Sequence, residues 1–153
     1  PYGNLLLSRA PALRCRPHDL SIAGREPRGA IEADFQIRGK RLRIFITHFG
    51  LTANERNRQV RMLMPALDRD DTDICILAGD INEWRPAART LRALRHVFGT
   101  SPAPRSFPAQ RPVFALDRVY VAPRELLNDV RAVRSAPARI ASDHLPLLAE
   151  IDI

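Results

Sequence analysis

The stretch that decides the fold is ICILAGDIN, at residues 74–82. Its first five residues form an unbroken apolar run, which is expected of a strand that is buried on both faces of a sheet. The polar residues Asp80 and Asn82 follow at the tip of this strand. Strand tips are a usual place for site residues in layered α/β proteins, so the stretch predicts a central strand and a candidate site together.

A hairpin is predicted on the N-terminal side of this strand. Residues 29–37 alternate between apolar and polar side chains, Gly39 and Lys40 offer a turn, and residues 42–47 form a second strand. This second strand ends at His48. The histidine is therefore expected at the C-terminal end of a strand, like Asp80.

An amphipathic helix is predicted between the two strands. It begins after Thr52, with Glu55 three residues further on as in a capping box, and its apolar residues recur at helical spacing: Val60, Leu63, Met64 and Leu67. Near the N-terminus, residues 5–8 predict a short apolar strand. A connection rich in proline and arginine follows, in which Cys15 is expected to lie in a loop.

The C-terminal half is predicted to hold one further helix, a long loop and three strands. In order, these are a helix at 86–97, a loop at 100–112, and strands at 113–121, 130–133 and 145–153. Neither an internal repeat nor a shift in composition marks a second domain. Residues 1–153 are therefore expected to belong to a single α/β domain.

Composition fits a folded domain with an anionic partner. Apolar residues make up 45% of the 153 residues, which suffices for one hydrophobic core. The formal net charge of +7 attracts phosphates over a distance. Lys40 is the only lysine among 24 basic residues, however, so a solvated arginine-rich surface explains the charge equally well.

Other sequence features narrow the class of protein. The chain has no apolar run of about 18 residues, so no transmembrane helix is expected within it. The cytoplasm is only a default expectation for its location. Cys15 and Cys75 cannot form a disulfide framework, and neither is expected to bind a metal. Because the chain begins at Pro1 rather than at a methionine, we expect a truncated reading frame or a trimmed chain.

Polar groups that suit phosphoester chemistry punctuate the apolar strands. They are His48, Asp80, Asn82, Asp117, Asp143 and His144. Carboxylate and amide oxygens without a cysteine cluster favour a hard cation such as Mg²⁺ or Mn²⁺. Histidines with nearby carboxylates can activate water and supply a proton to a leaving oxygen.

Each of these groups also has an ordinary structural interpretation. A histidine at a strand end is often simply hydrogen-bonded, and Gly-Asp-X-Asn is a common turn sequence. Asp117 beside Arg118 fits a plain ion pair, and residues 142–144 fit a turn with local side-chain hydrogen bonds. Taken singly, these signals do not decide between structure and function.

The order of the motifs resembles the endonuclease/exonuclease/phosphatase family. The motifs are Ile46-Thr47-His48, Leu77-Ala78-Gly79-Asp80-Ile81-Asn82, Leu116-Asp117-Arg118-Val119 and Ala141-Ser142-Asp143-His144-Leu145-Pro146. The segments at residues 3–9 and 25–29 also look like parts of that family, so the resemblance covers nearly the whole chain. It implies a four-layer α/β sandwich of deoxyribonuclease I-like type, in which two mixed sheets pack together with helices outside. This chain would be its C-terminal portion, with the N-terminal strands missing.

The resemblance also implies roles for the matching residues. Asp80 would orient or deprotonate the attacking water, and Asn82 would hold the phosphate or a water beside it. His48 would bind or protonate the phosphoryl oxygens. His144 would contact the scissile phosphate and transfer a proton, with Asp117 fixing its tautomer.

A metal and a further substrate contact follow from the same resemblance. Asp143 and Asp80 would be ligands of Mg²⁺ or Mn²⁺. Arg25 lies where related proteins hold phosphate with an arginine, although it can equally pair with Glu26. The implied partner is a phosphate-ester substrate such as DNA, a phospholipid headgroup or an inositol phosphate, and no obligate protein partner is indicated.

Two departures from the family pattern bear on activity. An early asparagine and a metal-binding glutamate have no counterpart in this chain, and Asp117-Arg118 replaces the more frequent Asp-His. We therefore expect an active parent hydrolase and a poorly active fragment. The alternative is a non-catalytic binding module derived from a truncated hydrolase.

Trp84 and Phe107 are expected either to stack on a base or headgroup, or to cover the core.

Overall fold

The computed structural model describes residues 3–67 and 71–153, which form an α/β fold. The strands of this part of the chain are β1 (Arg14–Asp19), β2 (Gly29–Ile37), β3 (Lys40–His48), β4 (Ile74–Asp80), β5 (Asp117–Ala122), β6 (Leu127–Ala132) and β7 (Leu147–Ile151). The helices are α1 (Ala53–Leu63), α2 (Arg89–Phe98) and α3 (Ala136–Ala141), with 3₁₀ turns at Met64–Leu67 and Arg124–Leu126. No helix in residues 3–67 and 71–153 is long and apolar enough to cross a membrane.

The strands form one mixed sheet and one antiparallel pair. The larger sheet has the order β1-β2-β3-β4-β5, in which only β3 and β4 run parallel. The parallel connection is made through α1, as a crossover requires. Strands β6 and β7 pair antiparallel in a second sheet. We expected two mixed sheets, and the smaller sheet is purely antiparallel in the part of the chain described.

Turn and cap chemistry at the predicted hairpin and helix is as expected. Arg38 and Gly39 both have positive φ, 49° and 81°, which matches the tight turn that suits a twisted β-hairpin. At the start of α1, the Thr52 hydroxyl accepts from the amide of Glu55, and the Glu55 carboxylate accepts from the amide of Thr52. The hairpin and the capping box are confirmed, whereas the turn lies at Arg38 and Gly39, one residue before the predicted Gly39 and Lys40.

The five-stranded sheet carries a hydrophobic core on each face, because its strands alternate their side chains. On one face, Phe45 and Leu77 belong to a buried cluster that also holds Leu63 of α1 and Leu94 of α2. On the other face, Phe35, Ile76 and Val121 belong to a cluster with Leu127 and Val130 of β6. The layers are thus two helices, a large sheet and a small sheet.

Two predictions for the N-terminal region are wrong. Residues 5–8 are not a strand: Leu5 and Leu7 are 74% and 82% exposed, and only Leu6 packs against a core. Cys15 lies in β1 instead of a loop. This strand was missed because it is an exposed edge strand with polar side chains and a proline, Pro17, which edge positions tolerate.

Several elements in the C-terminal half differ from the prediction: strand β6 spans Leu127–Ala132 rather than residues 130–133, and helix α3 was not predicted. Helix α2 begins at Arg89 because Pro86 lies in a turn that is closed by a hydrogen bond from the Ala88 amide to the Arg85 carbonyl. Strand β5 begins at Asp117, since Phe114 pairs instead with Phe107 outside the sheet. The closing strand is shorter than residues 145–153 and spans Leu147–Ile151.

Candidate active site

Strand register places three candidate side chains at one edge of the five-stranded sheet. His48 ends β3 and Asp80 ends β4, and the two are partners across the parallel pair. Asp117 begins β5 and is the partner of Asp80 across the antiparallel pair. His48, Asp80 and Asp117 therefore occupy neighbouring positions on three adjacent strands.

Gly79 allows β3 and β4 to approach each other directly before these residues. Its φ is 138°, and a Cβ atom at this position would lie 1.9 Å from the carbonyl oxygen of Thr47. Any side chain at residue 79 would therefore push the two strands apart. The close approach keeps His48 and Asp80 side by side.

Asn82 is bound back onto the strand ends by local hydrogen bonds. Its backbone has a left-handed φ of 55°, and its amide donates to Oδ1 of Asp80 at 2.7 Å. Its side-chain Nδ2 donates to the carbonyl oxygen of Phe49 at 3.3 Å and lies 3.5 Å from Nε2 of His48. A common Asx turn thus holds the buried Asn82 between the two candidate residues.

His144 is oriented by Asp117. Nδ1 of His144 lies 2.7 Å from Oδ2 of Asp117, which also accepts from the buried hydroxyl of Ser106. The hydrogen bond to Asp117 raises the pKa of His144, although burial opposes it. Burial raises the pKa of Asp117, but the hydrogen bonds from His144 and Ser106 outweigh it and lower that pKa. The pair thus favours a protonated imidazole next to a carboxylate.

The net pKa shifts of His48 and Asp80 are opposite to those of His144 and Asp117, because burial outweighs the attraction between the two groups. Nε2 of His48 lies 3.3 Å from Oδ2 of Asp80. Burial lowers the pKa of His48, more than the Asp80 charge raises it. Burial and the neighbouring Asp117 charge raise the pKa of Asp80. Asp80 is therefore a better proton acceptor than an ordinary aspartate.

A cluster of three side chains suits a divalent cation. Ligand atoms of Asp80, Asp117 and His144 all lie within 4.8 Å of one another. The two carboxylates face each other from adjacent strands, and this repulsion contributes to the raised pKa of Asp80. A cation such as Mg²⁺ or Mn²⁺ would relieve the repulsion and prefers oxygen ligands. The donor set of this chain therefore fits such an ion.

Two other predicted residues are not part of this cluster. The side chain of Asp143 is exposed, while its carbonyl oxygen accepts from the amide of Ala109. Arg25 is also exposed, and Glu26 pairs with Arg28 at 2.6 Å instead. A metal-binding role for Asp143 and a phosphate-binding role for Arg25 stay predictions.

A buried ion pair behind the site was missed by the sequence analysis. Arg56 of α1 forms two hydrogen bonds to Glu83, with Nε to Oε2 at 3.0 Å and a terminal nitrogen to Oε1 at 3.1 Å. Arg56 also donates to the carbonyl of Leu51 at 2.6 Å. It thereby links the chain after His48 to the chain after Asn82. The available signal was a charged residue at position 56, four before Val60 on the buried face of the helix.

Replacement of Asp117 by asparagine is expected to lower the pKa of His144. The folded-state pKa of His144 is raised by Asp117, so its stabilising contribution is present at low pH and is lost as the pH rises through that pKa. Titration of the imidazole signals by NMR in the presence of EDTA measures the change. The exposed His96 serves as an internal control, and an unchanged His144 titration would contradict the assigned contact.

Comparison with known sequences connects this geometry to a protein family. A model of the endonuclease/exonuclease/phosphatase family matches residues 1–144. The chain is 33% identical, over 169 aligned residues, to the uncharacterized protein YbhP of Escherichia coli strain K12. The alignment covers 99% of this chain and 63% of YbhP, so the chain spans less than two thirds of that relative.

Solved structures show the same fold at low sequence identity. The mannosyl-6-phosphatase Bt3783 of Bacteroides thetaiotaomicron has a TM-score of 0.76 at 16% identity, covering 94% of this chain and 67% of that chain. TDP2 of D. rerio, complexed with a single-strand DNA product, has a TM-score of 0.70 at 16% identity, covering 95% and 69%. These likenesses confirm the predicted α/β fold of deoxyribonuclease I-like type.

Proposed function

Because the chain belongs to the endonuclease/exonuclease/phosphatase family, we propose that the protein is a Mg²⁺- or Mn²⁺-dependent phosphoesterase. It hydrolyses a phosphodiester or phosphomonoester bond by attack of water. The observation that carries this proposal is the cluster of Asp80, Asp117 and His144 within 4.8 Å, with His48 and Asn82 beside it.

Water activation is assigned to Asp80. Its carboxylate lies at the end of β4 between His48 and Asp117, where it can orient an attacking water and accept its proton. The amide of Asn82 holds Oδ1 of Asp80 in place, which leaves the carboxylate in one orientation. Asn82 Nδ2 and the His48 ring supply hydrogen bonds to the phosphoryl oxygens, where negative charge accumulates in the transition state.

Protonation of the leaving oxygen is assigned to His144. Nδ1 of its ring is already bonded to Asp117, so Nε2 is the atom that delivers the proton. The raised pKa of His144 keeps this proton on the ring at the start of the reaction.

A divalent cation would be held by Asp80, with Asp117 and Asp143 as further carboxylates, and would stabilise charge on the phosphoryl oxygens. This assignment uses the oxygen donors of the cluster and leaves the imidazole of His144 for proton transfer. Asp143 is included because of the family resemblance, and its exposed carboxylate is open to a ligand.

Hydrolysis assays with controlled metal content test the proposal. The full-length protein and the 153-residue chain are incubated in parallel with bis-p-nitrophenyl phosphate or plasmid DNA, in Mg²⁺, Mn²⁺ or EDTA. We expect metal-dependent hydrolysis by the full-length protein, which EDTA reduces to background, and poor activity of the 153-residue chain. If nucleic acid is the substrate, we expect a preference for plasmid DNA and a rate of DNA hydrolysis that falls as the salt concentration rises.

The matched control is Asp129→Asn, which changes a partly exposed carboxylate of β6 that pairs with Arg131. This variant is expected to retain full activity. Activity that persists in EDTA would overturn the metal requirement. Absence of hydrolysis by the full-length protein with either substrate would favour a non-catalytic binding module.

A further inference from the structure

Three aromatic rings lead from His144 to the protein surface. We call Trp84, Phe107 and Phe114 the aromatic shelf. The ring centroids of His144 and Phe107 are 4.8 Å apart, those of Phe107 and Trp84 are 5.7 Å apart, and those of Trp84 and Phe114 are 4.8 Å apart. The shelf is thus continuous with a residue of the candidate active site.

The outer part of the shelf is too exposed to act only as a cover for the core. Trp84 is 44% exposed and Phe114 is 40% exposed. Aromatic side chains gain most of their stabilising free energy from burial. Large rings that remain open to solvent beside a candidate active site are more typical of a surface that a ligand covers.

Backbone contacts fix the shelf to the site. Phe107 and Phe114 exchange two backbone hydrogen bonds, at 3.1 and 2.9 Å. The segment before Phe107 is tied to the His144 loop by a hydrogen bond from the Leu145 amide to the Ser106 carbonyl at 2.8 Å. The rings are therefore in place before a ligand arrives, which lowers the entropic cost of binding.

Basic residues lie in the same two loops as the aromatic rings. Arg85 follows Trp84 directly, and Arg105 and Arg111 flank the Phe107 segment; all three are exposed. Arginines that contact phosphates, combined with aromatic rings on which bases stack, are the usual composition of sites for unpaired nucleotides. A surface for an apolar lipid tail would not need these charges.

We propose that the aromatic shelf is a subsite for the planar base of a nucleotide-type group attached to the scissile phosphate. The proposal rests on the proposed function only in placing that phosphate at His144. The base stacks against the exposed rings of Trp84 and Phe114, while Phe107 sets the distance between this stack and the imidazole.

Fluorescence of Trp84 provides a direct test, because it is the single tryptophan of the 153-residue chain. The chain is titrated in EDTA with thymidine 5′-monophosphate, ribose 5-phosphate or phosphocholine, with excitation beyond the absorption of the base. Of these three ligands, we expect only thymidine 5′-monophosphate to quench the fluorescence in a saturable manner. A thymidine trinucleotide that binds more tightly than the monophosphate indicates a nucleic-acid strand as the source of the base, and equal binding indicates a free nucleotide; both support the subsite.

Phe114→Ala removes one stacking ring and keeps the fluorescent reporter. It is expected to raise the Kd for thymidine 5′-monophosphate by about 5- to 160-fold, since stacking contributes roughly 1–3 kcal/mol per base. The control is Leu148→Ala, which removes a side chain with the same 44% exposure as Trp84 from strand β7. Circular dichroism verifies that each variant is folded.

A kinetic measurement on the full-length protein covers the case in which a variant of the short chain does not fold. The substrates are thymidine 5′-p-nitrophenyl phosphate and methyl p-nitrophenyl phosphate, which share a leaving group. Trp84→Ala is expected to raise KM about 10-fold for the thymidine ester, an amount typical of one lost stacking contact, and to change KM for the methyl ester much less.

Several results would overturn the subsite. They are the absence of quenching by the nucleotide, equal or stronger quenching by phosphocholine, and equal effects of Phe114→Ala and Leu148→Ala. Quenching without any hydrolysis would remove the phosphoesterase proposal but retain the base subsite. Hydrolysis without quenching would retain the phosphoesterase proposal but remove the base subsite.

Discussion

Replacement of His144 by alanine is expected to lower kcat of the full-length protein by about 10²- to 10⁴-fold, the usual contribution of a positioned general acid. His144 is held by Asp117, which raises its pKa, so the ring carries a proton when the leaving oxygen needs one. The side chain is partly exposed and does not fill the core, so the fold should remain. Asp80→Ala is expected to have a comparable effect, because it removes the proposed base.

Steady-state hydrolysis with the metal at saturation measures these losses, and thermal unfolding followed by circular dichroism measures the fold. The matched control is His96→Ala, which removes an exposed histidine near the end of α2. It is expected to leave kcat unchanged. Near-normal turnover in His144→Ala or Asp80→Ala would show that the assigned roles are wrong.

Glu83→Gln is expected to lower the free energy of unfolding by about 3–5 kcal/mol, the usual cost of breaking a buried ion pair. Glu83 is the carboxylate to which Arg56 forms its two hydrogen bonds, and both residues are only 4% exposed. The variant leaves the Arg56 charge buried without a carboxylate partner. Because this pair joins the segments that follow His48 and Asn82, kcat should fall as well.

A second buried ion pair in the same molecule provides the comparison. Arg43 is bonded to Asp34 at 2.8 Å, and it also contacts Glu32 at 3.3 Å and Asp71 at 2.9 Å. Asp34→Asn therefore leaves Arg43 with carboxylate partners and should cost less than Glu83→Gln. Urea denaturation of both variants measures the difference. Equal losses would contradict the idea that Arg56 depends on Glu83 alone among the contacts described.

The parts of the fold that sequence patterns predicted are those determined by local chemistry. The apolar run at 74–78 predicted a buried strand, and Thr52 with Glu55 predicted a capped helix; both are present. The errors arose where distant contacts decide. Strand β1 is polar and exists because it pairs along the edge of β2, and Pro86 suits a helix start as well as the turn that it occupies.

In the candidate site, too, the sequence predicted features set by local chemistry and missed features set by distant contacts. His48 and Asp80 could be expected to lie close together, because the sequence places each at the end of a strand; Asp117, predicted within a strand at 113–121, instead begins β5 beside them. The contacts of Ser106 with Asp117 and of Arg56 with Glu83 depend on side chains that are far apart in the sequence. The position of Arg56 on the buried face of α1 signals that it needs a partner, but no local pattern identifies which residue that partner is. The assigned catalytic and metal-binding roles stay predictions until the variants are measured.

The distribution of these residues between strand ends and loops has a consequence for protein engineering. The groups proposed to act on the phosphate are anchored mainly by β3, β4 and β5, whereas the aromatic shelf is carried by the loops around residues 83–88 and 105–114. Loops tolerate exchange better than the scaffold that supports them. Grafting other sequences into these two segments, with Glu83 and Ser106 kept in place, should therefore retarget the protein to different esters without rebuilding its reaction centre.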